Sequence, residues 1–216
     1  MPIYNPSPES SSSTVEGLGT DFFTANGYLT GLSSILEYST DIGAFDDSDG
    51  TALTITDSVA LAGTGDANSW SGWNLGAAQT KLLALTYMQP SLSDWVGLGF
   101  HEGSLPTTAL QESYQSIFYG GQSKIALSEY TGGSKTEIST DTTMYQDDLR
   151  TSAVWGMALY VDGDSNIQKS FAKGSTGQWF EVGSATATDH SSFQSLFLWH
   201  DGQSARFICP IYLWGA

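Results

Sequence analysis

The residues best suited to chemistry in this chain are three histidines, His101, His190 and His200, a scatter of carboxylates and seven tryptophans. A nucleophilic relay needs a base and an orienting carboxylate within hydrogen-bond reach of each other. Asp201 follows His200 directly, and neighbours on a strand point to opposite faces, so this pair does not qualify. No G-x-S-x-G, P-loop, H-E-x-x-H or Gly-rich dinucleotide fingerprint occurs. Glycoside hydrolysis requires two carboxylates facing each other at about 5–10 Å. No E-x-D-x-E run supplies them from one strand, and Glu102 and Glu112 straddle a predicted loop and helix. Glu129 and Glu137 flank Gly132-Gly133, so they either face each other across a hairpin or line a solvated strand edge, the second being the simpler reading.

Metal chemistry has little footing. A single cysteine, Cys209, excludes an internal disulfide, and no Cys/His spacing suits structural zinc. The acidic run Asp46-Asp-Ser-Asp-Gly50 has Phe45 where an EF-hand loop would begin with an acid. In Asp162-Gly-Asp-Ser-Asn166 the required Gly is replaced by Ile167 and the closing Glu by Lys173. Neither is an EF-hand; a looser lectin-type calcium site is the alternative to an Asp-Gly turn and a solvated loop. No metal or cofactor is assigned.

Of the tryptophans, Trp95, Trp155, Trp199 and Trp214 lie in strand-like runs and read as core. Trp70 and Trp73 sit in Asn68-Ser-Trp-Ser-Gly-Trp-Asn74, a polar, Gly-containing stretch that reads as a loop. There two indoles would serve as stacking platforms for sugar rings, as interface anchors, or as supports buried under the loop. Trp179, after the turn at Thr176-Gly-Gln, is a further candidate of the same type.

Whatever these residues do, the elements around them set the limits. The 216 residues are 40% apolar and 12% aromatic, enough for one sizeable β domain. Lys plus Arg is 7 against 23 Asp plus Glu, giving a formal charge of -16. So few cations cannot neutralise a row of phosphates or an anionic bilayer, which argues against nucleic-acid and membrane-surface partners. No apolar run approaches the roughly 20 residues of a spanning helix, and the opening residues do not read as an export signal.

Residues 1–20 are rich in Pro and Ser and too poor in apolar groups to fold alone. They read as an arm whose sizeable apolar side chains, Ile3, Tyr4, Val15 and Leu18, would dock on a neighbouring subunit or another protein of the same assembly, a homo-oligomer being expected. Beyond the arm, residues 21–216 read as one domain. Leu29, Leu32 and Leu36 at helical spacing suggest a helix over 28–38, weakened by Gly31. Alternation over 51–61 predicts one half-buried strand. Short aliphatic or aromatic runs at 81–88, 94–100, 123–130, 153–161, 177–182, 193–199 and 205–214 predict further strands bounded by turn residues. Gly132-Gly133 and Asp162-Gly163 mark hairpins, and capping boxes at 108–111 and 143–146 predict short helices. The fold class is therefore all-β: an antiparallel two-sheet sandwich of jelly-roll type with a few short helices and an extended arm.

The run Val154-Trp-Gly-Met-Ala-Leu-Tyr-Val-Asp-Gly163, the strand near 166–172, Gln178-Trp-Phe-Glu181 and the closing Arg206-Phe-Ile-Cys-Pro-Ile-Tyr-Leu-Trp214 resemble the C-terminal part of concanavalin-like sandwiches, including the laminin-G and SPRY types. The resemblance implies a binding module that uses loops at one edge of the sandwich. The short arm, Ser/Thr/Gly-rich β domain and scarce cysteine also resemble accessory virion proteins of tailed bacteriophages. That implies a non-enzymatic capsid decoration, tail or fibre component, located in the virion and bound to other virion proteins through its arm. The alternative is a lectin-like, carbohydrate-binding or receptor-binding module with Trp70, Trp73 and Trp179 as platforms for a cell-surface glycan.

Overall fold

A computed structural model describes residues 36–39, 47–49, 54–56, 59–61, 69–89, 95–105, 112–119, 124–141, 155–173, 179–186, 190–201 and 206–215. The arm with Ile3, Tyr4, Val15 and Leu18, and both capping boxes, lie outside the described residues. In chain order the strands are β1 (Leu36–Ser39), β2 (Asp47–Asp49), β3 (Thr54–Thr56), β4 (Val59–Leu61) and β5 (Ser69–Gln79). They continue with β6 (Lys81–Gln89), β7 (Trp95–His101), β8 (Ser113–Tyr119), β9 (Lys124–Thr131) and β10 (Ser134–Asp141). The last are β11 (Trp155–Asp162), β12 (Ile167–Lys173), β13 (Phe180–Thr186), β14 (Phe193–Asp201) and β15 (Arg206–Gly215). No helix occurs among the described residues.

Two antiparallel sheets result. An eight-stranded sheet runs β13-β12-β11-β6-β15-β4-β3, with β1 also on β15, and a seven-stranded sheet runs β10-β9-β8-β7-β14-β5-β2. They pack face to face, because alternate residues of both enter one core: Leu82, Met157, Leu159 and Val161 from the first meet Trp73, Leu98, Phe118 and Leu198 from the second. One polar pair spans this core, the buried Ser116–Ser170 hydroxyls at 2.6 Å.

Several local expectations change. Leu36–Ser39 pairs with β15 as a strand, so the predicted helix does not extend through 36–38. Within the alternating stretch 51–61 the described residues form two strands, β3 and β4, paired antiparallel with Thr56 opposite Val59, instead of one extended strand. Residues 69–74 of the predicted loop open β5. The Gly132-Gly133 hairpin forms as expected, with φ of 57° and 79° at the two glycines, the two-residue turn that matches strand twist. At the other hairpin it is Asn166 (φ 52°) that takes the left-handed conformation. Gly163 is needed there for space: a Cβ would lie 1.9 Å from the Ser191 carbonyl oxygen. Its N–H donates to the Thr80 carbonyl at 2.7 Å.

Candidate functional site

The seven-stranded sheet is apolar on both faces. On its outer face Trp70, Ile117, Tyr119, Ala126, Phe197 and Trp199 form a second cluster, with half-buried Trp95 and Tyr130 packed against it. Register builds this surface. Trp70 opposes Trp199, Trp199 opposes Gly97, and Gly97 opposes Ile117. Gly97 and Gly99 of β7 present no side chain here, and the Phe197 ring lies over Gly99. The loop after β7 folds onto the same face: Leu105 is held by its N–H donating to Asn74 Oδ1 at 2.7 Å. Ser195 Oγ donates to the Gly103 carbonyl at 2.8 Å.

Polar groups gather around the rings. Trp95 meets Tyr119 edge to face at 5.0 Å and Trp199 at 6.3 Å between centroids. Lys124 and Lys135 each place Nζ 4.6 Å from the centre of the Tyr119 ring. Lys135 also donates to the Tyr119 hydroxyl at 2.6 Å, and both lysines bridge to Glu137. Burial pushes the Tyr119 phenol up to about 12, so it stays protonated. Burial alone would raise Glu137, but hydrogen bonds and charge from the two lysines outweigh it and hold the carboxyl below its ordinary range. Among the described residues, the buried Trp70 Nε1, Trp199 Nε1 and Gln115 Oε1 make no hydrogen bond.

Sequence expectations for the indoles need correction. Trp70, Trp73 and Trp179 are only 2%, 5% and 5% exposed, so none is an open platform. They also occupy three different places. Trp73 points into the core between the sheets, Trp70 joins the outer cluster, and Trp179 lies against Gly156 of β11, where a Cβ would meet its ring at 2.4 Å. The rings that stay partly exposed on the outer face are Trp95 and Tyr130 instead. Alternating glycines in Val96-Gly-Leu-Gly-Phe100 are the sequence signal that marks this face, since a strand without side chains on one side invites a ring to lie on it.

Glu129 and Glu137 do not face each other. Glu129 opposes Thr136 and Glu137 opposes Ser128, which puts the two carboxylates on opposite faces of the sheet. Glu129 accepts from the Tyr114 hydroxyl at 2.6 Å and Glu137 takes the lysines, so the solvated-edge reading is nearer to the structure. Asp162 is structural: Oδ1 accepts from Ser165 N–H at 3.0 Å, and Oδ2 pairs with Lys81 at 3.2 Å.

At the rim of this sheet, Glu102, Glu112 and His190 bring one ligand atom each within 4.8 Å of one another, the group of described residues best suited to hold a metal ion. His101 lies beside them, buried, with Nδ1 accepting the Gly103 N–H at 2.8 Å. Burial lowers its pKa below 6.5, and the neighbouring Gly103 carbonyl and the charges of Glu102 and Glu112 offset this only in part. The unfolded chain therefore takes up this proton at higher pH than the folded one, so stability is full above about pH 6.5 and declines below it. Calorimetric melting from about pH 7 to about pH 5 should show a falling midpoint, with a shallower slope in His101→Gln. An unchanged slope in the variant would assign the titration elsewhere.

The fold is an antiparallel two-sheet β-sandwich of the kind also seen in solved lectin and carbohydrate-binding-module structures. No family model and no curated protein sequence matches the chain. Solved structures do. The carbohydrate-binding module CBM66 from Bacillus subtilis aligns at a TM-score of 0.53 and 10% identity, covering 75% of this chain and 89% of that one. The exoplasmic/lumenal domain of VIP36, in its Ca2+/Man3GlcNAc-bound form, aligns at 0.58 and 9%, covering 79% and 83%. The CBM2 module of the evolved Dit of Lactobacillus casei BL23 phage J-1 aligns at 0.53 and 10%, covering 77% and 80%.

Proposed function

We propose that the chain is a carbohydrate-binding module that takes a glycan on the outer face of its seven-stranded sheet, without turnover. The observation that carries this reading is the coincidence, on one face, of the half-buried rings Trp95 and Tyr130 with the charged groups of Lys124, Lys135 and Glu137. A sugar offers C–H faces that stack on rings and hydroxyls that both donate and accept. Trp95 and Tyr130 supply rings, while Lys124, Lys135 and Glu137 supply charge-assisted hydrogen bonds around Tyr119. The separation of Glu129 from Glu137 across the sheet supports binding over hydrolysis.

Screening the full chain on a glycan array, followed by calorimetry with the best ligand, tests the reading. Trp95→Ala should weaken binding by about threefold to tenfold, the range of a lost ring contact, while the fold is retained. Absence of any glycan ligand, or unchanged affinity in Trp95→Ala, would overturn it.

The similarity to the phage Dit module favours a second, compatible reading: a non-enzymatic virion component, with the module displayed on the particle and bound through the arm residues Ile3, Tyr4, Val15 and Leu18 to other virion proteins. Finding the chain in purified particles supports this reading, and its exclusion from them leaves a free module.

A further inference from the structure

We propose that Glu102, Glu112 and His190 bind a divalent transition-metal ion of the zinc class at the rim of the seven-stranded sheet. Glu102 follows β7, Glu112 directly precedes β8, and the Glu102 N–H donates to the Glu112 carbonyl at 2.9 Å, which fixes the two carboxylates side by side. His190, before β14, is 1% exposed, with its ring edge-on to Tyr114 at 5.1 Å. Its Nε2 lies 2.9 Å from the Tyr130 carbonyl oxygen. A carbonyl only accepts, so Nε2 carries a proton, which leaves Nδ1 as the nitrogen able to ligate. Nδ1 faces Glu102 Oε2 at 3.4 Å, so a cation placed there meets both.

The surroundings have the form of a metal site's outer shell. Ligating histidines commonly give their second N–H to a backbone carbonyl, as His190 does to Tyr130, and ligating carboxylates are themselves hydrogen-bonded. Glu112 Oε1 accepts the Gly132 N–H at 2.7 Å while Oε2 lies 3.8 Å from the His190 ring.

One imidazole nitrogen with two carboxylate oxygens suits zinc and its first-row neighbours better than the all-oxygen shells of calcium or magnesium. Metal–ligand bonds of about 2.0–2.2 Å require the three atoms to draw together from their present spacing. The carboxylate side chains, 41% and 37% exposed, are free to swing while His190 stays fixed. The ion would tie the loop after β7, the entry to β14 and, through Gly132 and Tyr130, the β9–β10 hairpin into one rim. Glu102 and Glu112 share strand parity with core-facing Phe100 and Tyr114, so their carboxylates lie off the proposed glycan face, which the site meets through the Tyr130 backbone carbonyl.

The test uses the full chain stripped with a chelator. Zn2+ titrated calorimetrically should bind in a one-to-one ratio and raise the melting midpoint, and Co2+ should develop visible absorption. Glu102→Gln combined with Glu112→Gln, at partly exposed side chains, should weaken Zn2+ binding at least about tenfold and abolish the thermal shift. His190→Gln should do the same if it folds. Absence of saturable Zn2+ or Co2+ binding, a response to Ca2+ alone, or unaltered Zn2+ affinity in the double variant would each overturn the proposal.

Discussion

Trp73→Ala is expected to destabilise the protein by about 3–5 kcal/mol, the range for deleting a large buried ring. Trp73 is 5% exposed and contributes to the core in which Leu82, Met157 and Leu159 of the facing sheet also take part. Removing the indole leaves a cavity lined by residues anchored on strands of two different sheets. Neither sheet can move inward without breaking its own ladder, so little of the loss is recovered by collapse. Urea denaturation measures the effect. A loss below about 1 kcal/mol would mean that the indole is dispensable to the core, as an exposed platform would be.

The same residue shows where sequence reasoning stopped. Asn68 to Asn74 is polar and carries a glycine, so it reads as a loop, yet 69–79 is a strand whose Ser71 is fully buried and whose Gly72 lies beneath Leu105. Polarity is a poor guide where small polar residues are chosen for closeness. Strand β8 was hidden for the same reason: Ser113-Tyr-Gln-Ser-Ile-Phe-Tyr119 is buried at every position, so no alternation marks it. By contrast β6, β7, β9, β11, β14 and β15 carry aliphatic or aromatic runs, and the Gly132-Gly133 turn is written directly in the residues it requires. Composition thus disclosed the sandwich and most of its strands. The site was less legible, because its makers come from far apart: Glu102, Glu112 and His190 meet only once β7, β8 and β14 are neighbours, and Trp95 is set beside Tyr119 by register alone.

Gly99→Ala should both destabilise the fold and disable the proposed glycan face. A Cβ at Gly99 would stand 2.2 Å from Cζ of Phe197, and all three of its nearest atoms belong to that ring. Phe197 is the register partner of Gly99 and is 1% exposed, so its ring has no open side into which to turn. Overpacking of this kind costs about 1–3 kcal/mol, because either the ring leaves its rotamer or the two strands separate. Gly97 supplies the comparison. There a Cβ would meet its nearest atom, the Ser116 carbonyl oxygen, at 3.3 Å, a contact relieved by a shift of a few tenths of an ångström. Gly97→Ala should therefore be the milder change in urea denaturation. Phe197 belongs to the cluster on which the partly exposed Trp95 and Tyr130 pack, so displacing it should also weaken glycan binding measured well below the unfolding transition. Equal stabilities for the two alanine variants would show that the Phe197 ring yields freely. The outer face would then be a plastic surface, and a ligand would have to order it on binding.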